Sequence, residues 1–193
     1  MVNYNIYDKV MNRGILMNIV VLSGSMRKGG NTDILVKAFV KGAEKNNNIE
    51  VMSVADLKVN PCIGCNSCFE REDNSCFQKD DMNIVYKKLS KADMIVIASP
   101  VYFYGISAEL KAIVDRLHTP LRNTFKVKKL ALLLVAAATI PTVFDSIKIQ
   151  YKLILDFFKL EDAGKVMVSG VKDKGDIKNN KALEEAYNLG LSL

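Results

Sequence analysis

The chain has 193 residues, of which 49% are hydrophobic and 25% are charged. That length suits one sizeable hydrophobic core and favours a single domain over two catalytic domains. The composition is typical of a globular protein and argues against disorder. The longest apolar run, residues 130–140, is about half as long as a transmembrane helix, so it predicts a buried strand and no membrane association.

The formal net charge is +6. The lysines are spread along predicted helices and turns, which favours solvated faces and no nucleic-acid partner. Residues 1–16 precede the apparent start of the domain at Met17, and we expect them to form an arm or a tail. They lack the continuous apolar segment of a signal peptide, so we expect a cytoplasmic protein.

Apolar strands alternate with amphipathic helices through residues 17–193. The strands are predicted at 18–22, 49–54, 94–98, 130–135 and 165–169, and the helices after residue 32, at 81–91, from Ser107, at 143–158 and at 182–189. The strands are apolar throughout rather than alternating, which predicts a parallel sheet with helices on both faces.

The helix predicted at 143–158 is apolar nearly all round. Ile149, Leu153 and Phe157 add to the apolar side chains that one buried face requires. A subunit interface would account for this excess, so we expect a homodimer or a homotetramer.

The turn after the first strand reads Ser-Gly-Ser-Met-Arg-Lys-Gly-Gly-Asn-Thr at residues 23–32. In a parallel sheet this loop lies at the carboxyl edge, where ligands bind. Its glycines allow the backbone amides to turn inward, and the next helix points its positive end at the same space. Ser25, Asn31 and Thr32 supply donors and Arg27 a fixed charge, so the pattern predicts a phosphate site.

This loop differs from the two common nucleotide-binding loops. It lacks the Gly-Lys-Ser/Thr ending of the P-loop and the G-x-G-x-x-G spacing of dinucleotide folds, which disfavours an NTPase and a dedicated NAD domain. On the residues alone, a solvated turn with an Asn or Thr helix cap is the alternative.

A second turn, Ser-Pro-Val-Tyr-Phe-Tyr-Gly at 99–105, follows the third predicted strand. It carries three consecutive aromatic residues at the same edge of the sheet. Such a turn can press on a flat cofactor ring and hydrogen-bond its edge through the backbone of residues 100–102. Packing of the aromatic rings on a neighbouring helix or subunit is the alternative.

The two turns, in this order, resemble the flavin loops of the flavodoxin-like NAD(P)H-dependent FMN reductase family. The shared stretches are Ser-Gly-Ser-x-Arg-x-x-x-Asn-Thr, the aromatic turn, Ser-Ala-Glu-Leu-Lys from Ser107 and Asp-Arg at 115–116, and the resemblance covers about residues 17–171. It implies an α/β three-layer sandwich with a five-stranded parallel sheet in the order 2-1-3-4-5. It also implies FMN as cofactor and NAD(P)H as co-substrate.

The resemblance assigns the flavin contacts to twelve residues. They are Ser23, Ser25, Arg27, Gly30, Asn31 and Thr32 in the first loop, and Pro100, Val101, Tyr102, Phe103, Tyr104 and Gly105 in the second. No catalytic side chain is expected, because the flavin carries the reaction. The chain departs from the family at Met26, where proline is common, and at residues 136–139, where glycines are usual. Asp115 and Arg116 predict a helix-surface pair or, by the resemblance, interface residues.

All four cysteines lie in one loop, predicted at 61–80. They are Cys62, Cys65, Cys68 and Cys76, a C-x2-C-x2-C-x7-C pattern. In a cytoplasmic protein this density favours metal or redox use over structural disulfides. Four thiolates can ligate a [4Fe-4S] cluster or a tetrahedral zinc ion, and free or paired thiols without a metal are the third alternative. Because the loop follows the second strand, we expect it on the flavin side of the sheet.

The cysteine pattern resembles the compact motif of the iron-sulfur flavoproteins, a branch of the same group that carries FMN and a [4Fe-4S] cluster. Pro-Cys-Ile-Gly-Cys at 61–65 and Asp-Asp-Met at 80–82 match that branch. The resemblance implies an oxidoreductase that reduces flavin or quinone-type acceptors, with the cluster as a further acceptor. The alternatives are a single-electron carrier with a ferredoxin-like partner and a non-catalytic zinc interaction module.

Overall fold

A computed structural model describes residues 16–193, so the predicted arm lies outside the described residues except for Leu16. The strands are β1 (Asn18–Ser23), β2 (Asn48–Ser53), β3 (Met94–Pro100), β4 (Lys129–Val135) and β5 (Glu161–Val168). The helices are α1 (Asn31–Ala43), α2 (Ser67–Glu70), α3 (Met82–Leu89), α4 (Ala108–Arg116), α5 (Asp145–Phe158) and α6 (Ala182–Leu191). In this part of the chain, no helix is long and apolar enough to span a bilayer.

All five strands are parallel and form one sheet in the order β2-β1-β3-β4-β5. This order confirms the predicted flavodoxin-like fold. The three central strands are buried along nearly their whole length, which is why their sequences are continuous apolar runs. The edge strand β5 begins at Glu161, before the predicted start at 165. Its first residues pair with the start of β4 although they are polar and exposed, so the apolar pattern of the sequence does not reveal them.

The hydrophobic core lies on both faces of the sheet. Alternate residues of β1 supply the two faces, with Ile19 and Val21 on one side and Val20 and Leu22 on the other. The first side is covered by α1 and α6, and the second by α3, α4 and α5. The helices on both faces confirm the predicted three-layer sandwich.

The helices α1 and α6 cross in direct backbone contact. A Cβ atom at Gly42 would lie 2.0 Å from the carbonyl oxygen of Tyr187, and one at Gly190 would lie 2.2 Å from the carbonyl oxygen of Phe39. Only glycine permits so close an approach. The C-terminal helix therefore holds α1, the helix that begins at the predicted phosphate loop, against the sheet.

Candidate functional site

The first and second predicted flavin loops leave neighbouring strands at the carboxyl edge of the sheet. Ser23 at the end of β1 is in register with Ala98 of β3, and Pro100 of β3 is in register with Val135 of β4. The amide of Gly24 donates to the Ala98 carbonyl at 2.7 Å. The structure therefore brings the two loops together, as the parallel sheet predicts.

The first loop, residues 23–32, turns back on itself around Arg27. The Ser25 hydroxyl accepts the Arg27 amide at 3.1 Å and donates to the Arg27 carbonyl at 3.2 Å, and the Gly30 amide donates to the same carbonyl at 3.0 Å. Gly29 has a φ of +69°, a conformation that other residues rarely adopt. The Arg27 side chain remains exposed, so its charge can meet an anion at this loop.

The N-terminus of α1 is uncapped. Its N-cap residue is Gly30, and no side chain within the described part of the chain accepts a hydrogen bond from the first turn. The amides of this turn are therefore available to an anion. The Ser23 hydroxyl is buried and has no partner among residues 16–193. Unpaired donors at the positive end of a helix fit the phosphate of a flavin nucleotide.

The structure places the Asn31 side chain outside the first loop. Its Nδ2 donates to the Asp173 carbonyl at 2.9 Å, and its Oδ1 accepts the Gly175 amide at 3.0 Å. Asn31 therefore reaches the predicted phosphate site only through its backbone amide. The side-chain partners of Asn31 lie 142 and 144 positions away, so the local pattern of the first loop does not reveal them.

The second loop contains a tight turn with two strained residues. Tyr102 and Gly105 exchange backbone hydrogen bonds of 2.9 and 3.0 Å, and the central residues Phe103 and Tyr104 have φ values of 46° and 65°. Glycine and asparagine normally occupy such positions, so the turn stores strain. Phe103 is 98% exposed, which argues against packing of its ring on a neighbouring helix of this chain.

The amides that were expected to bond the flavin edge are already engaged. Val101 donates to the Val135 carbonyl at 2.8 Å, and Tyr102 donates to Gly105. The amides of Phe103 and Tyr104 have no hydrogen-bond partner among the described residues. The tip of the turn, rather than its beginning, therefore offers the backbone donors.

We expect the paired change Phe103→Asn and Tyr104→Gly to raise the free energy of unfolding by about 1–2 kcal/mol, because Asn-Gly suits a turn with two positive φ angles. The change also removes two aromatic surfaces, so FMN binding should weaken. Urea unfolding and FMN titration measure the two effects. Phe103→Ala is the control, since it removes a ring and keeps the strain. A less stable paired variant would contradict a strained turn.

The start of α4 lies directly behind the first loop. Ser107 is the N-cap residue, as predicted, but its side chain makes no cap hydrogen bond, and its hydroxyl is buried without a partner among the described residues. A Cβ atom on Gly24 would lie 2.8 Å from this hydroxyl and 2.8 Å from Leu110 Cδ2. Gly24 therefore lets the first loop pack against α4.

The third loop, residues 136–139, follows β4 at the same edge. Ala136 is buried, and its amide donates to the Val168 carbonyl at 2.7 Å. Residues 137–139 are exposed. In place of the usual glycines, this loop offers two alanine methyl groups and the Thr139 hydroxyl.

The cysteine loop, residues 61–80, is closed at its base by hydrogen-bonded pairs. They are the Lys58 amide with Asp81 (2.7 Å), the Asn60 amide with Asp80 (2.9 Å) and Gln78 Nε2 with the Pro61 carbonyl (3.2 Å). The four cysteines lie beyond this closure with free thiols, Cys62 and Cys65 exposed and Cys68 and Cys76 half-buried. The loop is therefore fixed at its base, and all four cysteine sulfur atoms lie beyond the hydrogen bonds that fix it.

The four thiols do not converge on one point. Within residues 16–193, no three Cys, His, Asp or Glu side chains are placed to hold one metal ion. Cys65 Sγ instead accepts a hydrogen bond from Ser67 Oγ at 3.4 Å, and this hydrogen bond lowers the pKa of the Cys65 thiol. The donor set fits an iron-sulfur cluster chemically, but the loop must rearrange to bring the thiols together.

Arg116 is a buried cation at the base of the cysteine loop. It is 3% exposed, and its Nη1 donates to Asp80 Oδ2 at 2.5 Å and to the Asn60 carbonyl at 3.2 Å. Its Nε and Nη2 are buried and have no partner among the described residues. Burial acts to lower the pKa of Arg116, but the hydrogen bond to Asp80 and the nearby charge of Cys76 raise it overall.

The prediction of a surface pair at 115–116 is wrong. Asp115 pairs with Lys111 on the exposed side of α4, while Arg116 turns inward to Asp80, and its carbonyl accepts the Tyr86 hydroxyl at 2.8 Å. The helical period of the sequence indicates this buried position, because Arg116 lies three residues after the buried Ile113 and therefore on the same face of α4.

The cysteine loop packs near the far end of α4. The ring of Phe69 lies 5.9 Å from that of His118, and the Thr119 hydroxyl donates to the Asn74 carbonyl at 2.9 Å. Since α4 begins beside the flavin loops, its nine residues carry its end about 14 Å away. The loop therefore leaves β2 at the carboxyl edge of the sheet, as expected from the strand order, and its Phe69 and Asn74 contact the opposite end of α4.

One face of α5 is apolar and open. Ile149, Leu153 and Phe157, spaced four residues apart, are 63%, 62% and 53% exposed. Beside them a mainly apolar groove of about 610 Å³ lies between α4 and α5. The apolar residues of α5 that one buried face does not require are therefore exposed on the surface of the chain.

Curated relatives match the chain in part. An iron-sulfur flavoprotein of Methanocaldococcus jannaschii is 42% identical over 113 residues, which are 58% of this chain and 57% of the relative. An iron-sulfur flavoprotein of Methanosarcina thermophila is 35% identical over 113 residues, 58% of each protein. The chain thus spans a little over half the length of these relatives.

Solved structures and a family model match most of the chain. The NAD(P)H:quinone oxidoreductase from Methanothermobacter marburgensis has the same fold, with a TM-score of 0.75 at 16% identity over 92% of this chain and 97% of that one. The model of the NADPH-dependent FMN reductase family matches residues 17–168, from the start of the domain to the end of β5. Because this match includes the whole sheet and both flavin loops, the chain belongs to the NADPH-dependent FMN reductase family.

Proposed function

We propose that the protein is an FMN-dependent oxidoreductase that uses NAD(P)H to reduce a flavin or a quinone-type acceptor. The observation that carries this proposal is the first loop, where, among residues 16–193, the helix N-terminus has no side-chain cap and the buried Ser23 hydroxyl has no partner. Membership of the FMN reductase family supports FMN as the group held there.

The residues of this chain would bind and orient the cofactor. Bound FMN supplies hydride acceptance and electron transfer. The first-turn amides of α1 and the Arg27 guanidinium would hold the phosphate. The free amides of Phe103 and Tyr104 would donate to the edge of the ring, and their side chains would shield it from water.

The first test is cofactor binding and turnover. We expect purified protein to bind one FMN per chain and to oxidise NADH or NADPH when a quinone or free flavin is supplied, with both nucleotides assayed in parallel. Turnover should disappear when FMN is removed and return when it is added. A protein that fails to bind added FMN would overturn the proposal.

We also propose that the cysteine loop binds a [4Fe-4S] cluster through Cys62, Cys65, Cys68 and Cys76. The specific observation is four free thiols in one loop whose base holds the buried Arg116, two of whose donors have no partner among the described residues, and the relatives named iron-sulfur flavoproteins support the proposal. Such a cluster supplies single-electron transfer, which would allow a ferredoxin-like partner. Free thiols suit a reducing compartment, so we propose that the protein acts in the cytoplasm.

Iron and acid-labile sulfide analysis of anaerobically prepared protein tests the cluster. We expect both in stoichiometric amounts in the wild type and a strong loss in Cys76→Ser. Zinc without sulfide would favour the interaction-module alternative, and metal-free protein after reconstitution would favour plain thiols. Either result would leave the FMN proposal intact.

The exposed face of α5 is proposed as the interface of a homodimer or homotetramer. Three large apolar side chains at four-residue spacing form a patch of the kind that marks association surfaces. Leu153→Asp is expected to convert the oligomer to a monomer in light scattering. Lys152→Glu, on the neighbouring exposed position, is the control and should leave the mass unchanged; a wild type that runs as a monomer would refute the interface.

A further inference from the structure

Arg116 is buried at the base of the cysteine loop with part of its donor set unused. Its side chain is 2% exposed, and that of its partner Asp80 is 5% exposed. The Nη1 group bonds Asp80 and Asn60, whereas Nε and Nη2 have no acceptor within residues 16–193. Buried donors of a charged group are normally satisfied, because leaving them unpaired is costly. Unused donors on a buried cation therefore indicate an anionic acceptor.

The neighbouring groups identify the kind of acceptor. The ionisable groups near Arg116 are Asp80, Cys76 and Tyr86. Asp80 is already bonded to Nη1, and the Tyr86 hydroxyl donates to the Arg116 carbonyl at 2.8 Å. Cys76 is the remaining ionisable neighbour of Arg116, and no hydrogen bond joins the two among the described residues. Sulfur at Cys76 is therefore the candidate acceptor for the unused donors of Arg116.

We propose that Arg116 is a positioning residue that donates from Nε and Nη2 to anionic sulfur at Cys76 and raises the reduction potential of the cluster. This inference rests on the proposed cluster. Reduction adds one electron, and hence one negative charge, to the cluster, so a fixed cation and hydrogen bonds to its sulfur atoms favour the reduced form. Asp80 partly cancels that cation, so the ion pair sets the potential jointly.

The test is the midpoint potential of the cluster in full-length, reconstituted protein, followed by visible absorbance during an anaerobic titration with redox mediators. Arg116→Gln removes the cation and should lower the potential. Asp80→Asn leaves the cation uncompensated and should raise it. Each shift is expected to be about tenfold in the ratio of reduced to oxidised cluster, which is about 59 mV for a one-electron couple.

The opposite signs of the two expected potential shifts distinguish an electrostatic role of Arg116 from a structural one. Both variants break the same ion pair, so loosening of the loop alone would move the two potentials in the same direction. Arg116→Lys keeps the charge and loses donors, and it should give a smaller decrease than Arg116→Gln. If Arg116→Gln retains no iron, the contrast between Arg116→Lys and Asp80→Asn carries the same test.

Potential shifts of equal sign, or no potential shift in iron-loaded variants, would overturn this inference. They would not contradict the proposal that the cysteine loop binds a cluster. Wild-type protein without iron after reconstitution would overturn the cluster proposal and this inference with it. Iron, sulfide and FMN content per chain, measured on every sample, distinguish the two failures.

Discussion

Arg116→Met is expected to lower the free energy of unfolding by about 3–5 kcal/mol. The substitution keeps the unbranched apolar stem of the side chain but leaves the Asp80 carboxylate, 5% exposed, without its cation. The Asn60 carbonyl loses a donor at the same time. Since Asp80 and Asn60 close the base of the cysteine loop, the damage should include that loop. Urea unfolding followed by circular dichroism measures the loss.

The stability lost in Arg116→Met should depend on pH, because Asp80 is a titratable group. Burial acts most strongly and would raise the pKa of Asp80, but the hydrogen bonds from Arg116 and from the Asn60 and Met82 amides, with the charge of Arg116, together hold the pKa below its usual value. The wild type therefore has this stabilisation above about pH 4 and loses it as the pH falls through the lowered pKa. Without Arg116, burial should raise the pKa instead. The stability difference between the two proteins should then narrow as the pH falls, first through the raised pKa of the variant and then through the lowered pKa of the wild type.

The double variant Asp80→Asn with Arg116→Met is the matched control. It removes both charges, so no carboxylate is left buried and unpaired, and it should recover at least half of the lost stability. A double variant as unstable as Arg116→Met would show that packing of the Arg116 side chain, and not its charge, stabilises the loop.

Gly24→Ala is expected to raise the dissociation constant for FMN about 10- to 100-fold. The added methyl group would lie 2.8 Å from Ser107 Oγ and 3.0 Å from Leu110 Cβ, so the first loop must move away from α4. A displaced loop loses charge-assisted hydrogen bonds to the phosphate, each of which contributes about 1.5–3 kcal/mol. Quenching of FMN fluorescence on titration with protein measures the affinity.

Gly105→Ala is the control for this substitution. It lies in the second loop, but its added methyl group would meet nothing closer than the Tyr102 carbonyl oxygen at 3.7 Å, an ordinary contact. Its FMN affinity should change less than about threefold, the equivalent of about 0.6 kcal/mol. Equal weakening in both variants would indicate a general sensitivity of the edge and not a specific contact of Gly24 with α4.

The architecture could be predicted from the sequence because its signals are local. Continuous apolar strands and two turns in the right order are each read from neighbouring residues, and they correctly predicted the parallel sheet and the meeting of the two loops, while the family resemblance implied the strand order. The start of α4 at Ser107 was predicted from the same kind of signal, although the hydroxyl makes no cap bond.

The details that the sequence did not reveal depend on distant partners. The inward turn of Arg116 requires Asp80, which lies 36 positions away, and the outward turn of the Asn31 side chain requires residues 173–175. The close approach at Gly42 depends on α6. The strain at Phe103 was not predicted either, because the turn imposes a left-handed backbone conformation that phenylalanine does not prefer.

The contact between α1 and α6 has a consequence for biosynthesis. The helix that begins at the phosphate loop is held at its first residue, Asn31, by residues 173–175 and near its last by the backbone of 187–191. During translation the first loop leaves the ribosome early, but its supporting helix lacks these two end contacts until residues 173–191 have emerged. FMN capture by a nascent chain should therefore begin only after nearly all of the residues described here have been synthesised.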